Sequence, residues 1–396
     1  MRLGIDAWGL GGDLLTTGMG QYTRHLLTSL PARDPQLAIV AYGGPAEERP
    51  GWLPVEVEWR AVGRRMPGKL TALHSRTVAL PAHVRRDRLD IFHATAVHMR
   101  PVFPPVPRLR CPVVVTLHDL IPQTYYRVST LPLRQQVFYR WNLSRAVTSD
   151  RLVTVSEHSR GDIVSRLGID RDRVEVIHNG VDFPPNPDDR PLARLGLRRP
   201  YLLYAGSYEP RKNLAGALRA FRSLVDRGHP HELVAIVEPV SGHRAAAIAE
   251  LESLGVSNRV HLLHSLDEPD LRSVYTAADL VLFPSLAEGF GYPPVQAASA
   301  GVPAVASDLP VLREVMGDAA IYAAAGSVER LVEAVESVLT DPALRARQIE
   351  AGRRRAQQFT LTRNARAHFE LYMKVVDEGA TRAKAAAPSQ AAGVQA

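Results

Sequence analysis

Short apolar runs alternate with amphipathic stretches through the first half of the chain. Arg2–Ala7, Leu37–Tyr42, Ile91–Ala94, Val113–Leu117, Leu152–Val155 and Val174–Ile177 read as strands. They are rich in branched side chains and not alternating, as expected of parallel strands covered on both faces. Between them, Gly20–Leu30, Gln135–Ala146 and Ser159–Leu167 read as helices; the first puts Tyr22, Leu26, Leu27 and Leu30 on one side. Phe183 to Pro200 then holds five prolines and no strong period, the signature of a linker. The strand pattern restarts at Tyr201–Gly206 and continues through Leu233–Val237, Val260–Leu263, Leu280–Phe283 and Pro303–Ala306.

Two successive strand–helix arrays predict an α/β protein of two doubly wound, Rossmann-like domains facing across a cleft. The expected divisions are 1–184, a linker at 185–200, a second domain at 201–361, a terminal helix at 362–379 packing back on the first domain, and a disordered tail at 380–396. That tail is rich in Ala, Ser and Gln, too poor in apolar residues to order itself. A chain of 396 residues, 45% hydrophobic and 22% charged, is of ordinary globular composition and long enough for two cores. Its single cysteine, Cys111, excludes an internal disulfide and suits a reducing compartment. The polar start and the absence of an apolar run of about 18 residues argue against a signal peptide or a membrane span, and for a cytoplasmic protein.

The net charge is +7, and eight Lys/Arg fall between Arg60 and Arg88 against one acid, Asp87. A solvated arginine-rich face is one reading of that run. Peripheral contact with anionic lipid at the inner membrane face is another. Nucleic acid is disfavoured, because no aromatics interleave with the cations and no nucleic-acid-binding motif is present.

Chemistry-bearing residues gather at the ends of strands. After Leu280–Phe283 come Glu288, then Gly289-Phe290-Gly291-Tyr292, and Pro293-Pro294 opening an Ala-rich helix. Backbone N–H groups at a helix N-terminus attract an anion, while the carboxylate accepts from hydroxyls. A ligand bearing both phosphate and sugar fits that pair. Arg211 and Lys212 follow the turn that begins at Gly206-Ser207, with Asn213 placed to cap the next helix. Two cations at the carboxyl edge of a domain's first strand make a diphosphate site. His118-Asp119 ends another strand at a carboxyl edge, where a histidine can touch a substrate hydroxyl. The glycines Gly9 to Gly20 do not complete a dinucleotide fingerprint, and the second strand lacks the ribose-binding acid, which disfavours a nicotinamide enzyme. No spacing of His, Cys, Asp or Glu suggests a metal.

In order and spacing, Gly18-Met19-Gly20-Gln21-Tyr22, Leu117-His118-Asp119, Val155-Ser156-Glu157-His158-Ser159, Asn179-Gly180-Val181-Asp182, Arg211-Lys212-Asn213, Glu288-Gly289-Phe290-Gly291 and Ala300-Gly301-Val302-Pro303 resemble the retaining glycosyltransferases of the GT-B fold, family four, of the group 1 type. The resemblance implies His118, Arg211, Lys212 and Glu288 as the catalytic set. It further implies a nucleotide-sugar donor (GDP-, UDP- or dTDP-hexose) held by Gly18, Gly20, Gly206, Ser207, Arg211, Lys212, Glu288, Gly289, Phe290, Gly291, Tyr292 and Gln296. Gly289 to Tyr292 would act through backbone N–H groups. Neither metal nor cofactor is expected, and the sugar passes with retention to a hydroxyl acceptor that is a small molecule, a glycan or a lipid-linked carrier, in the manner of a mannosyltransferase. The family carries a glutamate where this chain has Gln296, which exchanges a charged ribose contact for an amide. A nucleotide-sugar epimerase, a phosphorylase, or a decayed nucleotide-sugar-binding protein would use the same frame. Base contacts are expected near Val260–Ser265, and acceptor selection around Gly63–Leu80 and Pro122–Leu133.

Overall fold

The computed structural model describes all residues except 11–16, 35, 68–69, 97–108, 127–131, 239–242 and 387–396. Gly11, Gly12, Lys69, part of the 122–133 segment and most of the expected tail therefore lie outside the described residues.

Seven strands form the first sheet: β1 (Arg2–Asp6), β2 (Ala38–Gly43), β3 (Val57–Ala61), β4 (Ile91–Ala94), β5 (Val113–Thr116), β6 (Arg151–Thr154) and β7 (Val174–Val176). Six form the second: β8 (Tyr201–Ser207), β9 (Glu232–Glu238), β10 (Val260–Leu263), β11 (Leu280–Phe283), β12 (Ala304–Ser307) and β13 (Ile321–Ala323). The orders are β3-β2-β1-β4-β5-β6-β7 and β10-β9-β8-β11-β12-β13, with parallel pairing throughout. Each sheet reverses its winding once, between β1 and β4 and between β8 and β11. There the loops on either side splay apart and leave a crevice at the carboxyl edge. β1, β4, β5, β8, β11 and β12 are buried almost throughout, which explains why their sequences run apolar without alternation. β3 and β13 have no counterpart in the expected strands. β3 is an edge strand carrying Glu58 and Arg60, and β13 is three residues inside the apolar but Ala-rich run Ala319–Ala325, whose composition does not favour a strand.

The segment between the sheets is not bare linker. A short helix, Arg190–Arg194, interrupts it, and Phe183, Leu192 and Leu197 are buried against the second sheet. The prolines hid those three anchors, because they fall in a stretch with neither a helical nor a strand period. The final helix, Leu361–Ala386, also runs past the expected boundary at 379. Ala is the strongest helix former, and the Ala-rich residues after Gly379 extend the helix in place of the first part of the tail.

That helix crosses back to the first lobe. Ala365, Leu371, Tyr372 and Val375 join the core of Leu3, Ile5, Tyr22, Leu26, Ile91 and Val114. Asn364 Nδ2 donates to the His178 carbonyl at 2.7 Å, and Arg151 pairs with Glu378 at 2.7 Å. The basic run is divided: Arg76 is buried in an ion pair with Asp6, whereas Arg64, Arg65, Arg85, Arg86 and Arg88 are exposed. Leu70, Leu73 and Val78 lie exposed among those cations. Arg76 therefore does not belong to the solvated face expected of the run.

His368, fully buried beneath the terminal helix, is pushed down to about 4 by burial, with the Asn364 carbonyl opposing that shift. Unfolded, such a ring binds its proton near pH 6.5; folded, it refuses the proton until about pH 4. Stability therefore falls as pH drops through that window, with a limiting slope of about 1.4 kcal/mol per pH unit for one proton. Denaturant unfolding between pH 4 and 6.5 should show a shallower pH dependence for His368→Gln than for the parent chain. Equal slopes would contradict the assignment of a buried neutral ring.

Candidate active site

The site is assembled on the loops that follow β8 and β11, at the second sheet's winding reversal. Helix Leu214–Asp226 begins at Asn213, which sits in the left-handed region (φ 55°). Asn213 accepts from Gly216 N–H at 3.2 Å and donates to the Pro284 carbonyl at 3.0 Å. One side chain therefore starts the helix and ties its loop to the neighbouring one. The loops are joined again by Leu286 N–H to the Arg211 carbonyl at 2.7 Å, and by Arg211 Nη1 to the Ala287 carbonyl at 3.3 Å. Tyr204 Oη, at the floor, donates to the Lys212 and Ser207 carbonyls at 3.2 and 3.3 Å. Gly206 and Ser207 are the last residues of β8, and the Ser207 carbonyl shares the Tyr204 hydroxyl with the Lys212 carbonyl.

These ties bring the charged side chains together. Lys212 Nζ lies 2.7 Å from Glu288 Oε1, and Arg211 Nη1 lies 3.4 Å from Oε2. Arg211 Nε pairs with Glu209 at 2.7 Å, and Lys212 Nζ stands 5.4 Å above the Phe283 ring. Burial alone would raise the Glu288 carboxyl, but Lys212 and Arg211 outweigh it and hold Glu288 below the usual range. Burial likewise works against the Arg211 charge, and Glu288 and Glu209 reverse it. The two cations therefore hold the Glu288 carboxylate ionised despite its burial.

The other side of the cleft comes from the first lobe. Asp119, lifted by burial and by nearby Glu288, accepts from Ile121 N–H at 2.9 Å. It abuts Gly289 so closely that a Cβ at 289 would come within 2.7 Å of Asp119 Oδ2. Glycine at 289 is what allows the lobes to meet. At the same point Ser156 Oγ donates to the Gly289 carbonyl at 2.8 Å. Gly291 takes φ 96° and caps helix Tyr292–Ala300, a turn that a side chain would strain. His118, just past β5, is fixed from Nε2 by the Thr95 carbonyl at 3.0 Å. A cleft of about 300 Å³ opens between the lobes, lined in part by Asp119, Tyr125, His158, Arg166 and Glu288.

The remaining expected residues divide by role. Phe290 packs in the core against Tyr292 and Phe359. The Tyr292 ring faces Gly18 and His25 of the first lobe. The Phe290 ring is thus part of the core, and the Tyr292 ring sits at the contact between the lobes. Gly18 therefore reaches the second lobe, while the N–H of Gly20 is held by Thr17 Oγ1 at 3.1 Å in the helix cap. Gln296 is half-buried, not solvent-facing, and its Oε1 accepts from the Tyr275 hydroxyl at 3.3 Å.

Three groups escaped sequence reasoning. Glu209, adjacent to the motif, completes the Arg211 pairing. Ser156 lies inside a quoted motif but carried no role. Glu314, on helix Pro310–Met316, accepts from Glu157 and His158 N–H at 2.7 and 2.9 Å and pairs with His178 at 2.9 Å. It closes the lobes by capping a helix N-terminus from the opposite side, and only the fold reveals such a partner.

Comparison with known proteins follows this geometry. Residues 187–355 match the family described as Glycosyl transferases group 1, and residues 16–184 match Glycosyltransferase Family 4. The O-antigen chain mannosyltransferase B of Escherichia coli is 30% identical over 62% of this chain and 66% of its own. The D-inositol 3-phosphate glycosyltransferase of Rhodococcus opacus is 31% identical over 57% of this chain and 53% of its own. The chain thus spans between half and two thirds of these curated relatives. Among solved structures, Anabaena HepE in complex with UDP-glucose superposes with a TM-score of 0.75 at 17% identity, covering 94% of this chain and all of that one. The sucrose-phosphate synthase of Thermosynechococcus elongatus gives 0.75 at 18% identity, covering 96% and 100%. At such identities the likeness establishes the two-domain GT-B fold.

A double-mutant cycle of Lys212→Met and Glu288→Gln, read by denaturant unfolding, should give a coupling of roughly 2 kcal/mol. Additive effects would mean that the two charges do not share one buried site.

Proposed function

The chain belongs to the group 1 glycosyltransferases of family 4, and we propose that it moves a hexose from a nucleoside-diphosphate donor to a hydroxyl acceptor with retained configuration. The observation that carries this reading is the meeting of Lys212, Arg211 and Glu288 in one cluster at the cleft, opposite Asp119 of the first lobe. Breaking a glycosyl–phosphate bond drives negative charge onto the diphosphate and positive charge onto the sugar ring. Lys212 and Arg211 stabilise the first, together with backbone N–H groups at the start of helix Tyr292–Ala300. Glu288 binds sugar hydroxyls, and His118 touches the sugar near the reacting carbon.

Without ligand, Glu288 and Glu209 neutralise the cations internally. The site is therefore charged and ordered before the donor arrives, and donor phosphate shares cations already in place. The acceptor hydroxyl attacks from the face that the diphosphate leaves, and a diphosphate oxygen takes its proton; no protein base or metal is required. At the ribose, the Gln296 amide offers one acceptor, already engaged by Tyr275, and one donor pair. The mannosyltransferases and inositol-phosphate glycosyltransferases among the relatives support a hexose donor and a polyhydroxyl or glycan acceptor.

Arg211→Ala and Lys212→Ala should each lower turnover on the order of 100-fold, with the fold intact by circular dichroism. A thermal-shift panel of GDP-, UDP- and dTDP-sugars, followed by mass spectrometry with candidate acceptors, identifies the substrates. Near-normal turnover in either variant would remove the diphosphate site.

A lipid-linked acceptor would place the face bearing Arg64, Arg65, Arg85, Leu70 and Leu73 against the membrane. Sedimentation with phosphatidylglycerol vesicles should then retain the protein, and Arg64→Glu with Arg65→Glu should release it. Equal retention with zwitterionic vesicles would contradict that placement.

A further inference from the structure

Behind His118 lies a polar network closed to solvent, built from both ends of the chain. Tyr22, His93, Thr116, His368 and Tyr372 are all buried. The links run from Tyr372 Oη to His93 Nδ1 at 2.7 Å, from His93 Nε2 to Thr116 Oγ1 at 2.8 Å, and from Thr116 Oγ1 to Tyr22 Oη at 2.8 Å. Tyr22 Oη then meets His368 Nε2 at 2.7 Å, and His368 Nδ1 meets the Asn364 carbonyl at 2.9 Å.

Every hydrogen in this chain can be assigned from its last member. A carbonyl only accepts, so His368 carries its proton on Nδ1. Burial keeps both histidines neutral, with His93 well below its ordinary value. His368 Nε2 is then a lone pair, and Tyr22 donates to it. The Tyr22 oxygen accepts from Thr116, Thr116 accepts from His93 Nε2–H, and His93 Nδ1 accepts from Tyr372. No link can reverse without leaving a buried group unpaired. The chain starts and ends on the terminal helix.

Tyr22 is also the wall on which His118 rests. The two rings meet edge to face, with centroids 4.8 Å apart and planes at 84°. The next residue on the same helix, Thr23, donates to Thr95 Oγ1 at 2.9 Å, and Thr95 supplies the carbonyl that fixes His118 Nε2. Helix Gly18–Ser29 therefore braces the imidazole from two sides.

We propose that Tyr22 and His368 are positioning residues for His118, the terminal helix setting the Tyr22 ring through a one-directional hydrogen-bond chain. This rests on the reading of His118 as a group that touches the donor sugar. It gives the return crossing of the last helix a task beyond burying apolar surface: its register is transmitted to the reaction centre 250 residues earlier in the chain.

Two measurements test it. In protein labelled with ¹⁵N-histidine, imidazole spectra at neutral pH should show His368 protonated on Nδ1 and His93 on Nε2. Tyr22→Phe keeps the ring but cuts the chain, and should lower kcat about tenfold while leaving donor KM within about twofold. Tyr372→Phe cuts the same chain from its far end and should act in the same direction; it stands in should Tyr22→Phe fail to fold. The opposite tautomer on either histidine, or wild-type kcat in a folded variant, overturns the proposal. If the parent enzyme transfers no sugar from any donor, the functional reading fails, and the tautomers alone decide the hydrogen-bond chain.

Discussion

The buried carboxylate of Glu288 depends on the two cations beside it, and much of the architecture serves that contact. A lone carboxylate at the position of Glu288 would be driven neutral by burial; Lys212 and Arg211 keep it charged, and it keeps them ordered. The arrangement requires two loops from different strands to meet within hydrogen-bond distance. The winding reversal between β8 and β11 puts them side by side, and Asn213 and Arg211 bind one to the other through main-chain oxygens. An enzyme that must stabilise departing diphosphate gains from such a cluster because the cations are oriented before the substrate binds.

The same economy governs the contact between lobes. Glycine at 289 admits Asp119, Ser156 locks the Gly289 carbonyl, and Glu314 satisfies the open N-terminus of helix Glu157–Leu167. None of these groups belongs to the cation cluster, yet each sets how closely the first lobe approaches it. The terminal helix completes the frame by returning from the second lobe to the first, where its apolar face joins the sheet core and its polar face enters the network behind His118.

Much of this was legible before any coordinates. The apolar runs without alternation identified buried parallel strands, and their restart after the prolines identified a second array. Arg211, Lys212 and Glu288 could be placed on strand-end loops because the strands before them were clear and the glycines and prolines after them were typical of helix starts. What escaped was of two physical kinds. β3 leaves no apolar run because its edge carries charges, and β13 is hidden in the Ala-rich run Ala319–Ala325, whose small side chains do not read as a strand. Pairings such as His93 with Tyr372, or Glu314 with His158, join positions far apart in the chain, and nothing local marks either partner. Phe290 and Tyr292 were read for their backbone N–H groups alone, and the fold adds that the Phe290 ring packs in the core while the Tyr292 ring lies against the first lobe.

The central claim is that one diphosphate lies between Lys212 and the start of helix Tyr292–Ala300. A crystal structure with the intact donor, or with its nucleoside diphosphate, tests this most directly. The account predicts phosphate oxygens within about 3.2 Å of Lys212 Nζ and of the backbone N–H groups between Gly289 and Tyr292, with the hexose reaching Glu288. A nucleotide bound with its phosphates away from Lys212, while the Lys212–Glu288 pair stays closed, would contradict it.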